Sequence, residues 1–152
     1  MLKSLFSIVF ASSDRRVGCY IKFIFWLKQK KMRIIALILS RRLQRKYGVF
    51  LHYSTSFDST LILPHPVGIV IGEGVVIGKN VVIFQNVTLG RANTYVNAYP
   101  SVGDNTIIYA GAVVLGDIKI GMNCIIGANA VVTKNIPDNS IAVGAPAKVI
   151  SK

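Results

Sequence analysis

Residues 71–90 read IGEGVVIGKNVVIFQNVTLG, with an aliphatic residue at every sixth position: Ile71, Ile77, Ile83 and Leu89. The same beat resumes at Val102 and runs through Ile108, Val114, Ile120, Ile126 and Val132. Gly follows the aliphatic residue in six of these ten hexads, as at Gly72, Gly78 and Gly103. Three positions after it, nine of the ten carry Gly, Asn or Asp, from Gly74 and Asn80 to Asn129 and Asn135. These residue types tolerate φ > 0 at least steric cost, so the chain is written to turn once per hexad. Four positions after it stand small or β-branched residues such as Val75, Val81, Thr106 and Ala112, which suit a short strand. A six-residue period held in phase is the pattern of a parallel β-helix, whose stacked coils bury one continuous aliphatic column. A sandwich would show longer strands and no fixed phase.

The phase breaks once. Thirteen residues separate Leu89 from Val102 where six would keep step, so RANTYVNAYPS (91–101) reads as a loop thrown out of the coil. Loops on a rigid solenoid are where function concentrates. Upstream, 49–64 form a ragged first coil; downstream, Pro137 and Pro146 end the regular coils. The β-helix therefore occupies 49–152, and 1–48 form a helical arm. Within the arm, DRRVGCYIKFIFWLKQ (14–29) and KMRIIALILSRRLQRK (31–46) read as two helices with apolar centres and cationic ends, the second stopped at Gly48.

At 152 residues the chain is one domain's worth, and 52% hydrophobic content is enough for a core. Charge is lopsided: residues 1–50 hold twelve Lys and Arg against Asp14 alone, while 51–152 hold six bases and five acids. The high pI thus belongs to the arm. It implies either packing of the arm on the first coil or on a neighbouring subunit, or in-plane contact with an anionic membrane through Trp26, Phe23 and Phe25 beside Lys22 and Lys28. Nucleic acid is not expected, because the aromatic residues lie inside apolar runs and not on a polar face where bases stack. No stretch reaches the ~18 apolar residues of a membrane span. The first eleven residues, MLKSLFSIVFA, mimic a signal peptide, but the apolar run is short and the charged DRR follows, so export is not expected. Cys19 and Cys124 make no disulfide framework, and Cys124 fits a buried free thiol of a reducing compartment. The expected location is the cytoplasm, or the inner face of the cytoplasmic membrane if the arm binds lipid.

The polar inventory is poor. CxxC, HExxH, carboxylate clusters and P-loops are all missing, so neither a metal nor Walker-type phosphate chemistry is expected. Residue-level chemistry falls on His52 and His65, and chiefly on His65 within LPHPVGIVIGEG, at an irregular corner between Pro64 and Pro66. From spacing alone, a lone histidine is more often a satisfied structural residue than a catalytic one.

The string HPVGIVIGEGVVIGKNVVIFQNVTLG, the loop after it and the tail GAPAKVI resemble the serine acetyltransferase-like branch of the hexapeptide-repeat acyltransferases. The likeness spans roughly residues 20–150, including the helical entry YIKFIFWLKQKKMRIIALIL. It implies a left-handed parallel β-helix, a homotrimer, and acetyl transfer from acetyl-CoA to a hydroxyl with the box histidine, His65, as general base. An oxyanion would need backbone donors, for which the Gly90–Arg91 step is the candidate. By the same resemblance pantetheine would lie between subunits against small residues, here Ala110 with Gly111 and Ala128. Lys134 and Lys148 would then be candidates for the CoA phosphates, the alternative being solvated surface lysines.

Three positions depart from that branch. The acid expected fifteen residues before the box histidine is Phe50, the acid directly before it is Pro64, and the acceptor-side histidine before the loop's final proline is Tyr99. His65 so loses its usual orienting carboxylate, with a backbone carbonyl or His52 left as substitutes. With Phe50, His52 and Tyr99 on the acceptor side, the expected acceptor is the hydroxyl of a sugar or polysaccharide precursor, as in capsule and exopolysaccharide acetyltransferases. Two alternatives stand beside it. One is serine O-acetylation for cysteine biosynthesis with an altered dyad; the other is a non-catalytic β-helix scaffold, favoured by the missing acid and opposed by the box histidine and the tail.

Overall fold

The computed structural model describes residues 12–150. The leader-like stretch 1–11 lies outside the described residues. Two helices, α1 (Ser13–Gln29) and α2 (Arg33–Tyr47), precede fourteen short strands. The strands form three faces of a prism. The first holds β1 (Val49–Leu51), β3 (Ile69–Ile71), β6 (Thr88–Gly90), β9 (Val113–Leu115) and β12 (Val131–Val132). On the second are β2 (Ser56–Phe57), β4 (Val76–Ile77), β7 (Ser101–Val102) and β10 (Lys119–Ile120). The third stacks β5 (Val82–Ile83), β8 (Ile107–Ile108), β11 (Ile125–Ile126), β13 (Ile141–Val143) and β14 (Lys148–Ile150). All named pairings are parallel except β13 with β14. This is a left-handed parallel β-helix with short N-terminal helices.

Register explains the hexads. One coil is eighteen residues, since Ile71 pairs with Leu89 and Ile108 with Ile126. Across the loop it is twenty-five, Leu89 pairing with Val114 and Ile77 with Val102. The aliphatic beats meet inside: Ile71, Ile83, Leu89, Ile108, Val114, Ile120 and Ile126 are wholly buried. The fourth-position residues are buried too, but at the corners just before the strands, as Val75, Val81, Val87 and Ala112 show. Along the corner between the second and third faces, Asn80, Asn105, Asn123 and Asn139 all have φ near +55°. Their side-chain amides form a ladder with 3.1 Å steps. A Cβ on Gly103 would lie 2.6 Å from the Gly121 carbonyl carbon, so here the coils approach too closely for a side chain.

The helices close the first coil. Val17, Ile21, Ile24 and Leu27 of α1 and Ala36 and Leu43 of α2 are buried in the same core as the coils. Gly48 caps α2 in the left-handed conformation, φ +67°. Lys28 is half-buried; its ammonium donates to the Thr55 carbonyl and sits 5.1 Å from the Phe57 ring centre. Among the described residues no helix is long and apolar enough to cross a membrane.

Candidate active site

His65 sits at the corner joining the third face to the first, exposed, between half-buried Pro64 and buried Pro66. The turn that presents it is tight: Val67 N–H donates to the His65 carbonyl at 2.8 Å, and Asn86 N–H to the Val67 carbonyl at 2.9 Å. Gly68 then takes φ +66°, and a Cβ there would fall 2.2 Å from Asn86 Oδ1. That contact is why the His-x-x-Gly box ends in glycine. The imidazole lies 6.0 Å from the Phe84 ring, which stacks on Tyr109 at 5.1 Å. No group among the described residues hydrogen-bonds the His65 ring.

The same corner continues upward as a track of small residues. Ala110 and Gly111 turn above Phe84, with Gly111 N–H donating to the Gln85 carbonyl at 3.0 Å and φ at +72°. One coil higher, Ala128 is exposed and Asn129 N–H donates to the Ala110 carbonyl at 2.9 Å. Lys148, exposed in β14, follows the tail that closes this edge. Lys134 is also exposed, but after β12 it lies across the first face, at the opposite corner.

That opposite corner, between the first and second faces, gathers a different set. The loop leaves after Gly90, whose carbonyl accepts from Gly116 N–H at 3.0 Å, and returns at Ser101 in β7. Tyr99 folds back over the coil, its ring where a Cβ on Gly74 would sit 2.2 Å from Cδ2. Its hydroxyl donates to Glu73 Oε1 at 2.9 Å, and the Arg91 guanidinium stands 5.6 Å from its ring centre. Desolvation, then the Glu73 hydrogen bond and charge, push the Tyr99 phenol above its ordinary pKa, against an opposing pull from Arg91. Glu73 also faces His52, Oε2 to Nε2 at 3.9 Å, and His52 Nδ1 is 2.6 Å from the Ser54 hydroxyl. Phe50 lies on the neighbouring strand edge, 6.3 Å from the His52 ring.

The chain therefore brings His65, Ala110, Gly111 and Ala128 onto one edge. It brings His52, Tyr99, Gly90 and Arg91 onto another, about 10 Å away across a three-residue strand. His52 makes its contacts with Ser54 and Glu73, not with His65. Glu73 was not singled out in the sequence; the available signal was that it is the only acid between Ile71 and Gly90. Among the described residues no group of three or more His, Cys, Asp or Glu could hold a metal ion.

These features sit on a known class of fold. Residues 99–134 match the family described as bacterial transferase hexapeptide (six repeats). A serine acetyltransferase of Helicobacter pylori is 38% identical over 127 residues, covering 83% of this chain and 74% of the relative. One from Buchnera aphidicola of Schizaphis graminum is 42% identical over 116 residues, 75% of this chain and 44% of the relative. A solved structure titled serine acetyltransferase in complex with CoA superposes with a TM-score of 0.82 at 29% identity, covering 95% of this chain and 60% of that one. The chain belongs to the serine acetyltransferase family of hexapeptide-repeat transferases. It spans about half the length of the first curated relatives it matches.

The expected sugar acceptor is overturned by these relatives, which are serine acetyltransferases at 35–42% identity over most of the chain. The physical step that misled is visible in the structure. Phe50 and Tyr99 suggested an acceptor side without an acid, yet Tyr99 holds the carboxylate of Glu73 at that very corner.

Proposed function

We propose that the protein transfers acetyl from acetyl-CoA to the hydroxyl of L-serine, as a homotrimer with its sites between subunits. The observation that carries this reading is the separation of the two edges. His65 stands at the foot of a small-residue track, while Glu73 and Arg91 stand across the first face. A threefold assembly sets the histidine edge of one copy beside the loop edge of the next. Ala110, Gly111 and Ala128 then leave the backbone open to pantetheine, and Lys148 on that edge, with Lys134 from the neighbour's, reaches the phosphates. Glu73 and Arg91 match serine's ammonium and carboxylate.

The chemistry needs few groups. The serine hydroxyl is a weak nucleophile at neutral pH, and imidazole is the side chain that changes charge nearest that pH. His65 takes the hydroxyl proton as the oxygen attacks the thioester carbonyl. The oxyanion is met by backbone N–H groups, with the Gly90–Arg91 step as the candidate donor. Collapse forms the ester, breaks the C–S bond and returns the proton from His65 to the departing thiolate.

Thiol release from acetyl-CoA, followed with L-serine and with a panel of sugars, tests the reading. Turnover with serine supports it, and Glu73→Gln should then raise KM for serine about ten-fold or more without changing KM for acetyl-CoA. No turnover with serine would sink it.

A further inference from the structure

The helices carry more apolar surface than their packing uses. With Val17, Ile21, Ile24, Leu27 and Leu43 already buried against the coils, Phe23 and Trp26 of α1 remain half exposed and stacked on each other at 5.7 Å. On α2, Ile34 is 76% exposed and Ile38 55%. These four residues flank the break between the helices, where Lys30, Lys31 and Arg33 are all exposed. Farther along α2 come Arg41, Arg42 and Arg45, also exposed and in no ion pair among the described residues. At the break, Lys28, Lys31 and Arg33 line a cleft of about 480 Å³ together with Tyr53 and Ser54, and no acidic side chain lines it. Burial holds Lys28 below the ordinary lysine range, as expected of a cation with no acidic partner among the described residues.

Exposed aromatic and isoleucine side chains on both helices, beside cations at the break and along α2 that make no ion pair among the described residues, have the chemistry of a surface that lies in a lipid interface. A second copy is a poor occupant, because face-to-face docking would oppose cations of one sign; residues 12–48 hold eleven Lys and Arg against Asp14. We infer that the helical hairpin is a docking surface for an anionic bilayer. Phe23, Trp26, Ile34 and Ile38 enter the headgroup boundary, and the cationic cleft takes a headgroup phosphate. The apolar side chains belong to the helices, whereas the cleft borders the loop edge at Ser54, whose hydroxyl is 2.6 Å from His52 Nδ1.

Trp26 is the only tryptophan, so its fluorescence reports insertion directly. The full chain would be mixed with vesicles of phosphatidylcholine alone and of phosphatidylcholine with phosphatidylglycerol, at low and high salt. A blue shift and co-sedimentation with the anionic vesicles, lost at high salt, is the expected result. Arg41→Gln and Arg42→Gln should each weaken binding roughly five-fold. The pair Ile34→Asn and Ile38→Asn, at exposed positions, should abolish the blue shift while the circular dichroism of the fold is unchanged. Equal partition onto neutral and anionic vesicles, no shift in Trp26 emission, or binding indifferent to all four substitutions would each overturn the inference. Self-association without lipid that the two Asn substitutions abolish would overturn it too, in favour of a second copy.

Discussion

Gly68 and Gly18 show how differently one residue type can be used. At Gly68 the backbone is left-handed and an added Cβ meets Asn86 Oδ1, whereas a Cβ on Gly18, inside α1, meets nothing within 4 Å. A non-glycine residue in the left-handed region costs about 1–2 kcal/mol before any clash. Gly68→Ala should therefore lower the melting temperature by several degrees, and should disturb the corner that aims His65. Gly18→Ala should do the reverse, stabilising α1 by roughly 0.5–1 kcal/mol. Equal effects in calorimetry would refute this account of the box glycine. His65 itself carries no such structural duty, since its ring is exposed and forms no hydrogen bond within the described chain. His65→Ala should then cut acetyl transfer about 10²–10⁴-fold with CoA affinity and melting temperature unchanged. Retained activity would remove it from the role of general base.

The loop from Arg91 to Pro100 is held at one end by a single aromatic strap. Tyr99 lies over Gly72 and Gly74 and is tied to Glu73, while residues 91–97 are all exposed. Tyr99→Ala removes the ring, the hydrogen bond and the seat of the Arg91 guanidinium together, so trypsin should cut after Arg91 several-fold faster than in the parent. Tyr99→Phe keeps the ring and loses only the hydrogen bond, about 0.5–1.5 kcal/mol, and should lie between the two. Unchanged cleavage in Tyr99→Ala would mean the loop is fixed by something else. The loop's length was legible beforehand, because seven surplus residues must leave a coil whose register is otherwise kept. Its strap was not. Glu73 and Tyr99 are 26 residues apart, and a lone exposed acid in a turn reads as a solvated corner until the coil stacks it under the loop. The helices were legible to within two residues from their apolar centres and Gly48. Which of their apolar residues would be buried was not legible, because both faces of α2 carry isoleucine or leucine and the sequence does not say which one meets the first coil. The aliphatic column, by contrast, could be read residue by residue, since only one hexad position is always large and apolar.

At the scale of the whole molecule, the proposed reaction would draw on two edges of the prism that one copy does not bring together. His65 and the track of Ala110, Gly111 and Ala128 face outward on one corner, and the Glu73, Tyr99 and Arg91 set faces outward on another. Each coil packs only on its neighbours, so the prism is stiff along its length and neither edge can bend to meet the other. On the proposed reading the partner edge comes from another copy, and a closed ring of three copies is the arrangement expected. Light scattering at micromolar concentration should accordingly give three times the 16.6 kDa of the chain. CoA binding only the folded assembly should raise its stability by about 2.7 kcal/mol at a hundred-fold excess over Kd. Ala128→Trp puts a large side chain on the track at an exposed position, without touching the buried column. That variant should keep the trimer mass and its own melting temperature while losing most of the CoA-induced shift. Ala142→Trp, inside the core, should instead fail to fold well, which separates blocking a track from breaking the prism. A monomeric parent, or a trimer of Ala128→Trp that CoA protects as well as it does the parent, would refute the edge-to-edge arrangement.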